Sequence, residues 1–269
     1  MSLPDEMSVT DSVTRFAGKV VVVTGGGRGI GAAYARMFAA RGAKVVVNDL
    51  DGAAARESAA AVGGVAVPGD ASTEAGVEVL IAAARDLAGA VDVYCANAGV
   101  ARGGMVDADE KAWELSWQVN VMAHVRASRV LMPQWVSRGR GRFVSTVSAA
   151  GLLTIPGAAP YAVTKHAAMA YAEWLAMTYA DAGVRVHAVC PQGVRTQMLE
   201  DSGPAGKALM EPSAIEADDV ATALLAAIIT GQFLVLPHPE VAAMYAGRAA
   251  DPDRWLRGMR RHNKSLPPH

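Results

Sequence analysis

The chain has 269 residues, 52% hydrophobic and 19% charged, with a net charge of −1. That balance suits a sheet buried on both faces. It offers no basic surface for nucleic acid or an anionic membrane, and no run of about 18 apolar residues is there to span a bilayer.

Residues 1–14 read as a polar tail, lacking the basic stretch and apolar core of a secretory signal. Val20 to Val23 is an apolar, β-branched run, the pattern of a buried strand. It leads into Thr24-Gly25-Gly26-Gly27-Arg28-Gly29-Ile30-Gly31, and Ala32 to Ala40 follows with helical composition and spacing. In a strand–turn–helix unit, glycines let the backbone approach a pyrophosphate, and the helix N-terminus supplies free N–H groups and a positive dipole end. The next strand, Lys44 to Val47, ends at Asn48-Asp49. Asp49 lies near the ~20-residue spacing at which a carboxylate meets the adenosine ribose hydroxyls and repels a 2′-phosphate. NAD is therefore expected as cofactor over NADP. Arg28 is the counter-signal, since an arginine there can accommodate that phosphate. A strand-end turn would also suit Asp49.

Strands are expected at 19–24, 44–48, 65–67, 91–95, 142–147, 184–189 and 233–236. Helices are expected near 29–41, 53–62, 74–88, 108–138, 159–182 and 216–230. This alternation makes βαβ units, and right-handed crossovers turn seven such strands into a doubly wound parallel sheet, an α/β fold of Rossmann type. No linker or repeat interrupts residues 15–269, so a single dinucleotide-binding and catalytic domain is expected. Cys95 and Cys190 fall in the strand regions and read as core residues, not as a disulfide framework. No His/Cys cluster has metal-ligand spacing, so no metal is expected.

Tyr161 and Lys165 stand at i and i+4 of the 159–182 helix and share a face. A nearby ammonium is expected to pull the phenol below its usual value of about 10, making Tyr161 a proton donor and acceptor near neutral pH. Ser148, upstream, is placed to hold a substrate oxygen. Residues 197–215 form a Gly/Pro/Ser-containing excursion in which Met198, Leu199, Leu209 and Met210 could make an apolar inner face, or serve only as buried anchors of a surface loop. The arm at 237–269 begins with the strand-breaking Pro237-His238-Pro239. Helical stretches follow at 240–249 and 251–257, the second capped by Asp251, and the arm ends in Arg257, Arg260, Arg261, His262 and Lys264. It could pack on a neighbouring subunit through Trp255, border the pocket and offer positive charge to an acidic substrate, or be a solvated basic end.

In this order and spacing, the motifs resemble the classical short-chain dehydrogenase/reductase family over roughly Phe16 to Leu236. Thr24 to Gly31 match the family's TGxxxGIG. Ala96-Asn97-Ala98-Gly99 match NNAG, with Ala96 in place of the first Asn. Asn120, Ser148, Tyr161 and Lys165 match the catalytic positions. The resemblance implies a nicotinamide-dependent oxidoreductase acting on a secondary alcohol or ketone. It places the dinucleotide on Gly25, Gly27, Arg28, Gly29, Ile30, Gly31, Asp49, Asp70, Ala71, Asn97, Ala98, Gly99, Tyr161, Lys165, Pro191, Val194 and Thr196, with Asp70 at the adenine. Asn120 would anchor a water that links Lys165 to solvent. One departure is Pro191-Gln192-Gly193-Val194-Arg195-Thr196, where Gln192 stands in the family's glycine position and could touch substrate or point to solvent.

The residues expected around a substrate include Val100, Met105, Leu152, Leu153, Ile155 and Leu199, so a hydrophobic alcohol is expected. An NADPH-dependent ketoreductase and a dinucleotide-sensing protein without turnover are the alternatives. By resemblance, the 108–138 and 159–182 helices build a four-helix bundle between subunits, giving a homotetramer first and a dimer second. With no targeting motif, the expected location is cytoplasmic.

Overall fold

Val20–Val23 (β1) is buried along its whole length, which requires cover on both faces of the sheet. Lys44–Val47 (β2), Val65–Ala66 (β3), Val91–Ala96 (β4), Gly141–Thr146 (β5), Val184–Val189 (β6) and Leu234–Val235 (β7) join it. The computed structural model, which describes residues 16–267, arranges these seven strands in the order β3-β2-β1-β4-β5-β6-β7, every pair parallel. This is the doubly wound, Rossmann-type sheet expected. The tail at 1–14 lies outside the described residues.

The helices are α1 (Gly29–Ala39), α2 (Gly52–Ala61), α3 (Glu74–Ala88), α4 (Glu110–Trp117), α5 (Ala123–Arg138), α6 (Ala150–Leu153), α7 (Ala159–Tyr179), α8 (Gln197–Glu200), α9 (Gly203–Met210), α10 (Ala217–Thr230), α11 (Glu240–Ala250) and α12 (Pro252–Ser265). On one face of the sheet Leu80 of α3, Leu131 and Trp135 of α5 and Leu175 of α7 pack with Tyr94 and Phe143. On the other, Tyr34 and Phe38 of α1 and Leu224 and Ile228 of α10 pack with Val21, Val23 and Val45. Each fully buried Leu or Phe contributes about 1.5–3 kcal/mol. Both cysteines are buried and unpaired, as expected of core residues.

The expected 108–138 helix is divided. Asp109 caps α4 by accepting from the Ala112 N–H at 2.6 Å, and a π-helical turn at Gln118–Met122 separates α4 from α5. Helix α7 stops at Tyr179, and Gly183 turns the chain at φ 82°. The 197–215 excursion folds into α8, α9 and a 3₁₀ turn at Glu211–Ser213. In the arm, Asp251 accepts from the Arg254 N–H at 2.9 Å as expected of a cap, but α12 runs on to Ser265, beyond the expected 251–257.

Candidate active site

The strand order reverses at β1, and in such sheets ligands bind in the crevice beyond the C-terminal strand ends at that switch point. A crevice of about 1480 Å³ opens there, larger than the ~300–1,000 Å³ of a single-ligand pocket. Its first part is built on the glycine turn. Thr24 Oγ1 donates to the Cys95 carbonyl at 3.2 Å and accepts from the N–H groups of Asn97 and Ala98 at 3.0 and 3.1 Å. The Asn97 amide donates to the Thr24 and Gly25 carbonyls at 3.0 and 3.2 Å. The turn after β1 is thus tied to the segment after β4. Helix α1 begins at Arg28 with no side-chain cap, which leaves its first N–H groups free for an anion.

Gly25, Arg28, Gly29, Ile30, Asp49, Asp70, Ala71, Asn97, Ala98, Gly99, Pro191, Val194 and Thr196 all line the crevice, together with Ser148, Tyr161 and Lys165. Three expected residues do not. Gly27 faces inward, where a Cβ would lie 2.8 Å from both the Ala54 Cβ and Asp49 Oδ2. Gly31 packs against the turn itself, with a Cβ position 2.1 Å from the Gly25 carbonyl oxygen. Asn120 is fully buried behind Gly99. Gly31 and Asn120, both buried, shape the site from behind, and the partly buried Gly27 does so by bringing its backbone against Asp49.

Asp49 accepts from the Gly27 N–H through Oδ2 and from the Asp51 N–H through Oδ1, both at 3.0 Å. Arg28 is held by Asp51 at 2.5 Å, and Asp51 caps α2. Backbone N–H groups at that cap, led by Ala54, and the Arg28 guanidinium hold the Asp51 carboxyl below its usual range. Asp70 accepts from the Ser72 N–H at 2.9 Å. Asn48, which drew no attention in the sequence, also lines the crevice and anchors the neighbouring loop by donating to the Val67 and Gly69 carbonyls at 2.9 and 3.0 Å.

The second part of the crevice lies where β5 ends and α7 begins. Ser148 Oγ accepts from the Ala150 N–H at 3.1 Å and donates to the Pro191 carbonyl at 3.5 Å. Lys165 Nζ donates to the Thr146 carbonyl at 3.0 Å and lies 5.7 Å from the centre of the Tyr161 ring. The i, i+4 spacing thus brings the phenol and ammonium together, but the expected lowering of Tyr161 does not follow. Burial pushes the phenol up and outweighs the hydrogen bond from Ser148, which acts in the opposite sense. Burial also pushes Lys165 down to about 8. Asn120 accepts from the Val100 N–H and donates to the Val100 carbonyl, both at 3.0 Å, and donates to Thr164 Oγ1 at 3.1 Å. Its side chain therefore braces the loop after β4.

The far end is closed by the 197–215 excursion and the arm. Gln192 lines the crevice and donates through Nε2 to Glu240 Oε1 at 2.9 Å, while its N–H donates to His238 Nδ1 at 3.1 Å. His238 in turn donates through Nε2 to the Ser213 carbonyl at 3.1 Å. Gln192 therefore neither hangs free in solvent nor stands unengaged at a substrate. Arg248 of α11 donates to the Leu152 carbonyl. Leu152 is core, not lining. Thr154 has φ 65°, the one positive value outside glycine among the described residues, and it lines the crevice too. Such conformations in a β-branched residue concentrate at functional sites. Met244, Trp255, Met259, His262 and Leu266 of the arm complete the wall, and the sequence reading had left the arm's role open.

A short chain dehydrogenase family model matches residues 19–206. The chain belongs to the short-chain dehydrogenase family. This dehydrogenase resembles a short chain dehydrogenase/reductase from Burkholderia phymatum solved in complex with NAD, with 31% identity, a TM-score of 0.82, and 88% of this chain and 95% of that one covered. It is 37% identical over 202 residues to 2-(S)-hydroxypropyl-CoM dehydrogenase 3 of Xanthobacter autotrophicus, covering 71% of this chain and 79% of the relative. It is 33% identical over 236 residues to 1-deoxy-11-beta-hydroxypentalenate dehydrogenase of Streptomyces exfoliatus, covering 82% and 84%. The dehydrogenase is thus an oxidoreductase of the class that acts on hydroxyl groups with a nicotinamide cofactor. Among its described residues no helix is long and apolar enough to cross a membrane, and no group of metal-binding side chains is present.

Proposed function

We propose that this dehydrogenase interconverts a hydrophobic secondary alcohol and its ketone, using NAD in preference to NADP. The observation that carries the reading is a single crevice with Ser148, Tyr161 and Lys165 at one end and Asp49 at the other. The uncapped start of α1 and the side-chain-free backbone around it fit a pyrophosphate. The Asp49 carboxylate favours ribose hydroxyls and opposes a 2′-phosphate. Arg28, the counter-signal, is engaged by Asp51, but an exposed pair of that kind is worth only ~0–1 kcal/mol, so the reading rests on Asp49.

When bound, a nicotinamide dinucleotide supplies the hydride acceptor or donor. In oxidation Tyr161 takes the substrate hydroxyl proton, and Ser148 Oγ hydrogen-bonds the oxygen as it gains carbonyl character. Lys165, 5.7 Å from the Tyr161 ring centre, adds positive charge beside that oxygen while it is protonated, below about pH 8, and the buried amide of Asn120 holds the loop that carries Gly99 against Lys165. Dinucleotide contacts are assigned to Gly25, Arg28, Gly29, Ile30, Asp49, Asp70, Ala71, Asn97, Ala98, Gly99, Pro191, Val194 and Thr196.

We further assign a homotetramer, supported by Trp117, Trp174 and Met177 on α4 and α7, which are 42%, 48% and 76% exposed. Light scattering tests this: a dimeric mass would replace the tetramer with the second expected arrangement, and a monomeric mass overturns both. The function itself is tested by near-ultraviolet absorbance with a panel of secondary alcohols and NAD⁺ or NADP⁺. Turnover with NAD⁺ is expected, and equal turnover with NADP⁺ overturns the cofactor assignment.

A further inference from the structure

We propose that α12 is the outer wall of the substrate pocket, and that the dehydrogenase selects alcohols with an extended apolar body whose far end lies against Trp255 and Met259. The inference rests on the reading above, that Tyr161 and Ser148 act on a secondary alcohol, and deepens it.

At ~100° per residue, Trp255, Met259 and His262 fall within about 60° of one another on the helix surface. These three are the α12 residues that line the crevice, and Leu266, just past the helix end in extended conformation, lines it beside them. Arg257, Arg260, Arg261 and Lys264 fall on the opposite side of the same helix and do not line it. The arm therefore turns its charge away from the site, which removes the reason to expect an acidic substrate. No residue of α12 is buried, although Trp255 is partly buried against the core. A helix that keeps an apolar stripe over a cavity, with no buried side chain of its own, leaves that stripe wet until something apolar fills the space.

The cavity is continuous from Tyr161 past Leu153, Ile155, Met198 and Leu209 to Met244 and Met259. Beyond Lys165 at the Tyr161 end, the charged side chains along it are Arg102, Asp107 and Asp201, all exposed, so no strong net charge recognises an ionic body. Small alcohols would occupy only the Tyr161 end. A long apolar body would also cover the α12 stripe.

The test is a series of linear secondary alcohols from 2-butanol to 2-dodecanol with saturating NAD⁺. It measures kcat/KM by absorbance and, independently of turnover, binding to the NAD⁺-loaded protein by calorimetry. Each methylene that reaches the stripe should raise both by about fourfold. In Trp255→Ala and Met259→Ala proteins the long-to-short ratio should fall at least tenfold, and Met259→Leu should restore it. Arg260→Ala, on the opposite face, should leave the ratio as in the wild type. Graded binding that depends on Trp255 and Met259 but comes without turnover would uphold the wall and overturn the proposed reaction. Turnover whose chain-length dependence is the same in all variants would overturn the wall and leave the reaction standing. A wild-type series flat in both binding and turnover overturns the inference outright.

Discussion

A Cβ on Gly99 would meet Asn120 Oδ1 at 3.3 Å and Lys165 Nζ at 3.4 Å. Gly99→Ala should therefore move Lys165 by a few tenths of an ångström. Since a misplacement of about 1 Å costs ~10²-fold, kcat should fall roughly tenfold with the fold intact by circular dichroism. An unchanged kcat would show that the Lys165 position is not critical. Removal of the phenolic oxygen is more severe: Tyr161→Phe should lower kcat by about 10²–10⁴-fold, and near-wild-type turnover would refute the assigned proton acceptor. The pH profile follows from burial. Alcohol oxidation needs the phenolate, and burial raises Tyr161. Oxidation kcat/KM should therefore climb from neutral toward about pH 8, where Lys165 begins to lose its charge, whereas ketone reduction, which needs the phenol, should not. An oxidation profile flat from pH 6 to 9 would mean that the phenol is not the titrating group.

At the scale of elements, the β1–turn–α1 unit is the most constrained. A Cβ on Gly31 would sit 2.1 Å from the Gly25 carbonyl oxygen, a backbone atom that cannot swing aside. Gly31→Ala should displace the start of α1 from the turn, cost about 1–3 kcal/mol in denaturant unfolding, and weaken NAD⁺ binding in calorimetric titration. Full-affinity binding would show that the turn tolerates the shift. This unit was legible in the sequence because its signals are local: four valines, a glycine run, and Asp49 at the end of the next strand. The π-turn at Gln118–Met122 was not legible, since one i→i+5 step leaves no mark on composition or apolar period. Helix α12 was half legible: Asp251 marked its start, but the surrounding arginines hid the Trp255 and Met259 stripe that faces the crevice. The upward shift of Tyr161 could not be read from the spacing to Lys165, because it comes from burial by segments far away in sequence.

Over the whole molecule, pH stability is set by groups buried in neutral form. Burial pushes His124 down to about 3 and His187 to about 4, the latter with help from the Arg142 guanidinium beside it. In the unfolded chain both take up protons near their usual value of about 6.5. Their contribution is complete above about 6.5 and is lost as pH falls toward 4, at up to about 1.4 kcal/mol per pH unit for each. At the alkaline end Cys95, Cys190, Tyr34 and Tyr94 are all pushed up by burial, Cys190 to about 12. The unfolded chain releases those protons first, so stability falls as pH rises past about 8.5 for the thiols and about 10 for the phenols. Lys165, lowered to about 8, acts in the opposite sense between about 8 and 10.4, but as one group against these four and the likewise raised Tyr161 and Tyr171. Urea unfolding should therefore give a stability plateau between about pH 6.5 and 8.5 with a decline on each side. In a His187→Asn protein the plateau should drop, because Asn cannot fill the imidazole's place between Arg142 and the Gln232 carbonyl. Its acid limb should also be shallower by up to about one proton. A variant whose acid limb runs parallel to the wild type would assign the acid sensitivity to other groups.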